Sequence, residues 1–174
     1  VWRLVQFNSS RLTGVAPSRT TIQDMASLNS VEHEILRVMH NSIRGASEDL
    51  ERMHFNTALS RIMELVNVLV PYAGEDAGNN QFNPGLLAES LDVLVKLLAP
   101  FAPHICEELW QSALGRQGSV FQSSWPGWDK DILKEDVVTV VVQVNGKLRS
   151  HLEAPRGLPE DKVREIALKD EKVA

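Results

Sequence analysis

The residues best suited to metal or acid–base chemistry are Glu51 with His54, and His104 with Cys106. Glu51 and His54 have the Glu-x-x-His spacing of di-iron bundles, but such a site needs a second pair and two further inward-facing glutamates. His104 and Glu107 stand in the reverse order. Cys106 is the only cysteine in the sequence, and we predict a small buried residue rather than a nucleophile. We therefore expect no catalytic residue and no metal site in this chain.

A row of cationic side chains is the second feature with chemical potential. On a helix that begins near Ser30, with about 100° per residue, four side chains fall within about 60° of one another: His33, Arg37, His40 and Arg44. They lie opposite the predicted buried stripe, and Glu51 closes the row. One interpretation is an ordinary solvated face. The other is a set of donors spaced by about 5–6 Å, which can follow a phosphate backbone.

Further cations extend this candidate surface. Arg52 and Arg61 lie on neighbouring surface, and Lys147 and Arg149 flank a predicted loop tip. A surface with so few cations would bind nucleic acid weakly, with strong salt dependence and without reading the base sequence. We take these eight residues as the candidate nucleic-acid-binding set.

Composition limits the class of protein. The 174 residues fit one domain, or one domain with a small appendage. The net charge of −5 argues against a surface that is basic all over. The longest apolar runs are too short and too rich in proline to cross a bilayer, so we expect no membrane association. The single cysteine suits a reducing compartment, and we expect a cytoplasmic protein.

Three segments have helical periodicity. From Ser30 to Met53 the apolar positions are Ile35, Val38, Met39, Ile43, Ala46, Leu50 and Met53, with Asn29 or Ser30 as the cap. In the next segment one stripe is predicted from Leu59, Ile62, Met63, Val66, Leu69 and Val70, and Pro71 with the stretch "AGEDAGNN" ends that segment. A third helix begins at Asn83-Pro84 and buries Leu87, Leu91, Leu94, Val95 and Leu98.

The stretch "LLAPFAPHICEELW" predicts a corner between two helices. Pro100 cannot continue the preceding helix and biases Ala99 away from helical angles. Pro103 suits the first turn of the next helix, which ends at Gly115. The bend is expected to keep Phe101, Ile105, Leu109 and Trp110 turned toward one core. Such a corner needs no ligand.

The pattern changes after Gly115. Trp125 and Trp128 flank Pro126-Gly127 in a connection that we expect to pack on the helices, and Trp125→Ala would cost about 3–5 kcal/mol if that ring is fully buried. Residues 137–144 are mostly β-branched, and Asn145-Gly146 predicts a hairpin turn, followed by a short helix with Pro159 in its first turn. The fold class is therefore mainly α. A helical bundle (1–115) is followed by a linker packed on it (116–135) and by the start of a small α+β unit (136–174).

Several motifs carry a resemblance. The stretches "EDLERMHFNTALSRIMELVN", "LLAPFAPHICEELWQSALG", "SWPGWD" and "VVVQVNGKLRSHLEAP" resemble the C-terminal region of bacterial or organellar leucyl-tRNA synthetases. The "FNTA" step and the Ala-Pro corner are shared by related class I synthetases, and the "VQVNGK" stretch followed by "EDKVREIALKDEKVA" points to leucine. The isoleucine enzyme would be expected to end in a cysteine-rich zinc module, and the valine enzyme in a coiled coil. The resemblance covers nearly the whole chain.

The resemblance implies a helical tRNA-binding ("anticodon-binding") domain and the start of the C-terminal domain. The whole enzyme would join leucine to its tRNA with ATP and Mg²⁺. In this chain the bundle would hold tRNA(Leu) by its stems rather than read the anticodon bases, and the C-terminal domain would touch the tRNA elbow. The catalytic HIGH and KMSKS motifs would lie in an upstream catalytic domain, since neither occurs in this sequence. We read the chain as part of a longer polypeptide with no cofactor of its own. Members of the family often carry lysines at the positions of Asn41 and Gly45.

Two alternatives stay open. The chain can be read as a helical bundle that binds other proteins, or as the equivalent domain of another class I synthetase. Salt dependence separates the first alternative from a tRNA-docking domain, because binding to a phosphate backbone weakens steeply as salt increases.

Overall fold

The computed structural model describes residues 1–17, 19–21, 23–77, 82–133, 137–144, 147–155, 161–162 and 164. The chain divides into two compact units, Val1–Leu133 and Lys134–Ala174. The first unit contains the α-helices α1 (Trp2–Ser9), α2 (Ser30–Glu51), α3 (Phe55–Ala73), α4 (Pro84–Leu98) and α5 (Pro103–Glu108). The prediction of a mainly helical chain is confirmed, whereas the predicted three-part division stays a prediction. None of the described helices is long and apolar enough to span a bilayer.

The helix starts follow the capping signals in the sequence. The Asn29 side chain accepts the Glu32 amide, and the Glu32 carboxylate accepts the Asn29 amide, so that α2 begins with a complete capping box. Asn83 accepts the Leu86 amide, and Pro84 occupies the first position of α4. Both caps are as predicted, because capping depends on residues within one turn.

The core of the first unit is built around α4, in which eleven of the fifteen residues are buried. Helices α2 and α3 pack along each other, and both contact α4. The largest fully buried side chains are Ile35, Leu36, Met39, Ile43, Ile62, Leu65, Leu69, Leu86, Leu87, Leu91, Leu94 and Leu97. These aliphatic side chains hold the three long helices in one cluster.

The turn between α2 and α3 places Met53 in a left-handed conformation with φ 60°. The Met53 amide donates to the Leu50 carbonyl at 3.0 Å, and the His54 amide donates to the Asp49 carbonyl at 2.7 Å. These two bonds form the Schellman motif that usually places glycine at this position. The prediction that Met53 belongs to the buried stripe of α2 is wrong, because its side chain is exposed and the helix ends before it.

We expect Met53→Gly to stabilise the helical unit by about 1 kcal/mol, because glycine adopts the left-handed conformation without the steric cost that other residues have. The Met53 side chain contributes little burial that could be lost. Urea unfolding followed by circular dichroism measures the change. A loss of stability would show that the Met53 side chain makes contacts worth more than the strain.

Pro71 lies inside α3, which continues for two more residues and ends at Ala73, the first residue of the predicted terminating stretch "AGEDAGNN". Proline removes one backbone donor and leaves the carbonyl four residues earlier, that of Asn67, without its helical partner. Asn67 and Pro71 are both exposed, so solvent can serve that carbonyl. The Gly74 amide donates to the Val70 carbonyl at 2.8 Å and closes the last turn.

The corner between α4 and α5 differs from expectation at one residue. Ala99 has helical angles, φ −52° and ψ −42°, and its amide donates to the Val95 carbonyl at 3.0 Å. This hydrogen bond outweighs the preference that Pro100 imposes on the residue before it. Helix α5 begins at Pro103 and is followed by a π-helical turn, Leu109–Ala113, and Gly115 has φ +64°, as a residue just beyond a helix end often does.

The apolar side chains after the corner do not all face inward. Leu109 and Trp110 are buried, and Phe101 packs partly against the core. Ile105 is exposed, so its predicted inward orientation is wrong. Cys106 is fully buried, and its burial raises the pKa of the thiol to about 11. A neutral, inaccessible thiol agrees with the predicted packing role.

In the second unit, β1 (Val137–Val144) pairs with β2 (Lys147–Pro155) in antiparallel register, from Val137 opposite Pro155 to Val144 opposite Lys147. The register shifts between Val142 and Gln143. The Asn145-Gly146 turn and Pro159 lie outside the described residues, so the hairpin and the following helix stay predictions. Residues 161, 162 and 164 are helical.

Candidate nucleic-acid interface

The solvent side of α2 carries His33, Arg37, Arg44 and Glu51, and we call these four residues the outer face of α2. His33 and Arg37 are half-buried, whereas Arg44 and Glu51 are exposed. The amphipathic pattern of α2 produces this arrangement, since Ile35, Met39 and Ile43 occupy the opposite side in the core. Three of the four cations predicted for this row therefore do face outward.

His40, the fourth predicted cation of the row, is buried, with only 1% of its surface exposed. Its Nδ1 atom accepts a hydrogen bond from the Asp129 amide at 2.9 Å. Its assignment to the nucleic-acid surface is wrong, because the connection after α5 covers this part of α2. A projection of one helix cannot show which side a distant segment covers. Burial, with a smaller contribution from the Arg19 guanidinium, lowers the pKa of His40 to about 4, so the ring is neutral at physiological pH.

The buried His40 predicts a pH dependence of stability. The folded-state pKa of about 4 lies below the ordinary value of 6.5, so the unfolded chain takes up its proton first as the pH falls. The neutral His40 ring should therefore contribute its full share to the free energy of unfolding above pH 6.5. We expect that share to be lost progressively between pH 6.5 and about pH 4. Denaturant unfolding across this range, compared with His40→Gln, measures it. If the free energy of unfolding changes with pH by the same slope in both proteins, His40 is not the group responsible.

Two of the predicted arginines are held by neighbouring carboxylates. The Arg37 guanidinium donates to both oxygens of Glu34, at 2.8–3.0 Å. Arg61 contacts Glu64 at 3.2 Å. Each pair is three residues apart on one helix, with side chains 43–48% accessible to solvent, so each pair is weakly bound and its net charge is close to zero. These two arginines would have to leave their carboxylates to bind a phosphate.

Arg44 and Arg52 are the cations most available to an anionic partner. Both are exposed. Arg44 donates to the neutral Asn41 side chain at 2.8 Å, and Arg52 caps the C-terminal end of α2, where a positive charge is favourable. Among the described residues, no carboxylate lies within ion-pair distance of either guanidinium. They can therefore donate charged hydrogen bonds to phosphate oxygens.

Gly45 has a packing role that the sequence does not reveal. A Cβ atom at this position would lie 3.0 Å from the Arg61 Nε atom and 3.1 Å from its Cδ atom. The Ser42 hydroxyl also donates to the Arg61 carbonyl at 2.9 Å, so α2 and α3 lie close together at this point. The absence of a side chain at Gly45 leaves room for the Arg61 stem to cross α2.

The connection after α5 is fastened to α2 by polar contacts. The Trp125 indole donates to the Ser47 hydroxyl at 2.8 Å, and its ring is 43% exposed. The condition of full burial is not met, so the predicted cost of 3–5 kcal/mol for Trp125→Ala does not apply. Trp128 is partly buried against the core. Lys130 follows the Asp129 contact to His40 and adds an exposed cation that helix periodicity could not identify.

The remaining candidate residues contribute little to a site. Lys147 and Arg149 lie on β2, and their side chains are outside what the structure describes. Glu51 and His54 are both exposed, and His54 lies 3.9 Å from Asp49. No group of three or more potential metal ligands occurs among the described residues. The arrangement suits contact with a phosphate backbone better than acid–base chemistry.

Comparisons with known proteins agree with this geometry. A protein family described as the anticodon-binding domain of tRNA ligases matches residues 32–164. Leucine–tRNA ligase of Geobacter sp. (strain M21) is 41% identical over 174 residues, and that of Desulfatibacillum aliphaticivorans is 37% identical over 174 residues. In both cases the match covers 99% of this chain and 20% of the relative. The chain thus spans about a fifth of the length of these curated relatives.

A solved structure is also similar. The crystal structure of the ternary complex of Agrobacterium radiobacter K84 agnB2 LeuRS, tRNA and LeuAMS matches with a TM-score of 0.79 and 34% identity. The match covers 98% of this chain and 20% of the chain in that complex.

Proposed function

The chain belongs to the family of anticodon-binding domains of tRNA ligases, and from this premise we propose that it is the tRNA-docking part of a leucine–tRNA ligase. The observation that carries the proposal is the match of nearly the whole chain to a leucyl-tRNA synthetase solved with tRNA. The relatives named above are leucine–tRNA ligases, which favours leucine over the other class I synthetases. The resemblance identified in the sequence is confirmed.

The proposed parent enzyme would ligate leucine to tRNA(Leu) with ATP in the cytoplasm. ATP and Mg²⁺ would be bound by the remainder of the ligase, where the resemblance places the catalytic motifs. The role of this chain would be to position tRNA rather than to take part in the chemical step. Positioning of a substrate by remote contacts contributes to catalysis by holding the reacting groups in the productive geometry.

The outer face of α2 and the adjoining Arg52 would contact the tRNA backbone. Arg44 and Arg52 lie eight residues apart on α2, which corresponds to about 12 Å along the helix axis. Guanidinium groups at this spacing can reach separate phosphates, and contacts of this kind fix orientation without reading bases. Arg37 would join them only after exchange of Glu34 for a phosphate.

Charge reversal in the full-length ligase tests this proposal. Arg44→Glu with Arg52→Glu should raise the KM for tRNA(Leu) by about ten- to hundredfold, which corresponds to about 1.4–2.8 kcal/mol. Leucine-dependent ATP–pyrophosphate exchange should be unchanged, because it does not need tRNA. Aminoacylation kinetics equal to those of the unmodified ligase would contradict the assignment of these two arginines.

Arg3→Glu is the matched control for the loss of a positive charge. Arg3 is exposed on α1 and contacts Glu75, beyond the C-terminal end of α3. Arg52 lies near the other end of α3, about 28 Å away along that helix. The control should leave the KM for tRNA(Leu) close to that of the unmodified enzyme. A general effect of net charge would instead raise the KM for this single reversal by about half as much, in free energy, as for the double reversal.

A further inference from the structure

Helix α3 has two apolar faces, and only one of them is used within the helical unit. Ala58, Ile62, Leu65 and Leu69 are at most 2% exposed and pack in the bundle. A second row is open to solvent, with exposed fractions of 52%, 39%, 56% and 44% for Phe55, Leu59, Met63 and Val70. The sequence pattern predicted one buried stripe that included Leu59, Met63 and Val70, and that prediction is wrong for these three residues.

The exposed row is a continuous surface. At about 100° per residue, its members fall within about 80° of one another. We call these four residues the outer stripe of α3: Phe55, Leu59, Met63 and Val70. Ile105 on α5 is also exposed, and the Phe55 ring meets Phe101 edge-on with 6.2 Å between the ring centroids. The stripe therefore continues toward the corner before α5.

The chemistry of the outer stripe differs from that of the cationic surface. The two charged residues of α3, Arg61 and Glu64, lie about 100° or more from its nearest member. Exposed neutral polar residues, Asn56, Ser60 and Asn67, border it. A helix that is apolar on two sides is usually buried on both, and exposed apolar patches of this kind mark interaction surfaces. A neutral apolar row favours a protein surface over a phosphate backbone.

We propose that the outer stripe of α3 is the docking surface for the rest of the ligase polypeptide, which lies outside these 174 residues. This inference rests on the proposed function. The length comparison supports this occupant, because relatives that match almost all of this chain are about five times as long. The similar chain in the tRNA complex is likewise matched over only 20% of its length. Docking here would bury the apolar row of α3 and leave the outer face of α2 open to tRNA.

Methionine oxidation provides a direct footprint of this surface. Exposed methionine is converted to the sulfoxide by peroxide, whereas buried methionine is protected. In the chain of 174 residues, Met53 and Met63 should oxidise rapidly and the buried Met39 slowly. In the full-length ligase without tRNA, we expect Met63 to oxidise at least tenfold more slowly, as measured by peptide mass spectrometry. Equal Met63 rates in the chain and the ligase would overturn the proposal.

Two further outcomes would also overturn it. Protection of Met63 that appears only when tRNA(Leu) is added to the ligase would assign the stripe to RNA. If Met63 in the isolated chain becomes more protected as the protein concentration rises, and sedimentation shows a dimer, the outer stripe of α3 binds a second copy of the chain. The oxidation experiments measure burial of the outer stripe of α3, whereas the charge reversal measures tRNA binding by Arg44 and Arg52. Failure of the docking proposal can therefore be told apart from failure of the proposed function.

A pair of variants adds a stability readout. Leu59→Gln with Met63→Gln should lower the melting temperature of the full-length ligase by several degrees and leave that of the isolated chain nearly unchanged. Ser60→Gln, on the neighbouring polar side of α3, is the matched control and should change neither. An equal decrease in the isolated chain and the ligase would show that the two side chains stabilise only the bundle.

Discussion

Leu94→Ala is expected to lower the free energy of unfolding of the helical unit by about 3–5 kcal/mol, the range for a fully buried leucine in a packed core. Leu94 has no exposed surface and lies on α4, the helix that contacts both α2 and α3. Removal of the Leu94 side chain leaves a cavity among α2, α3 and α4, and these packed helices cannot move together far enough to fill it. Thermal unfolding followed by circular dichroism should show a decrease of about 10 °C or more.

Leu59→Ala is the matched control, because the same atoms are removed from a side chain that is 39% exposed. In the isolated chain its cost should stay below about 1 kcal/mol, since little apolar area returns to water and no cavity forms. Equal losses for Leu94→Ala and Leu59→Ala would contradict the packing of α4 at the centre of the unit.

Tyr72→Phe is expected to have the second largest effect, about 2–4 kcal/mol. The Tyr72 hydroxyl donates to the Glu32 carboxylate at 2.8 Å and accepts the Asn83 amide at 2.7 Å. It thereby joins the first turn of α2, the last turns of α3 and the cap of α4. Phenylalanine keeps the packing but leaves a buried carboxylate oxygen and an amide without this partner, and each such group costs about 1–3 kcal/mol. Burial also raises the pKa of Tyr72.

A double-mutant cycle separates this network from packing. Glu32→Leu combined with Tyr72→Phe should cost less than the sum of the single variants by about 1 kcal/mol or more, because the unpaired carboxylate is then absent. Urea unfolding of the four proteins gives the coupling energy. Strict additivity, or a loss below about 0.5 kcal/mol for Tyr72→Phe alone, would show that the hydroxyl is not a structural link.

Local signals in the sequence predicted the parts of this fold that are decided locally. The caps at Asn29 and Asn83, the first-turn prolines and the left-handed Gly115 each depend on residues within about one turn. Pro71 and Ala99 show the limit of such signals. Proline disfavours the interior of a helix, and Pro100 disfavours helical angles at Ala99, yet the hydrogen bonds of the surrounding helices outweigh both preferences.

The surfaces were harder to predict, because periodicity shows that a helix has sides but not what covers them. His40 is in the cationic row by projection, yet the segment that carries Asp129 lies on it. Leu59 and Met63 are apolar, yet they face away from the bundle. Arg37 and Arg61 are cationic, yet carboxylates three residues away hold them. At His40, Leu59 and Met63 the outcome depends on other segments of the fold, which a single-helix pattern does not contain. The Arg37–Glu34 and Arg61–Glu64 pairs are three residues apart on one helix, so the sequence did contain that signal.

Docking of tRNA through the tRNA phosphate backbone can be measured as the binding of tRNA(Leu) to the 174-residue chain across a salt series. We expect measurable affinity at low salt and a linear decrease of log K with log salt, with a slope of about −0.7 to −0.9 for each phosphate contact. Arg44→Glu with Arg52→Glu should make that slope shallower by about 1.4–1.8, because two contacts are lost. No binding at low salt, or an affinity that does not change with salt, would rule out docking through phosphate contacts.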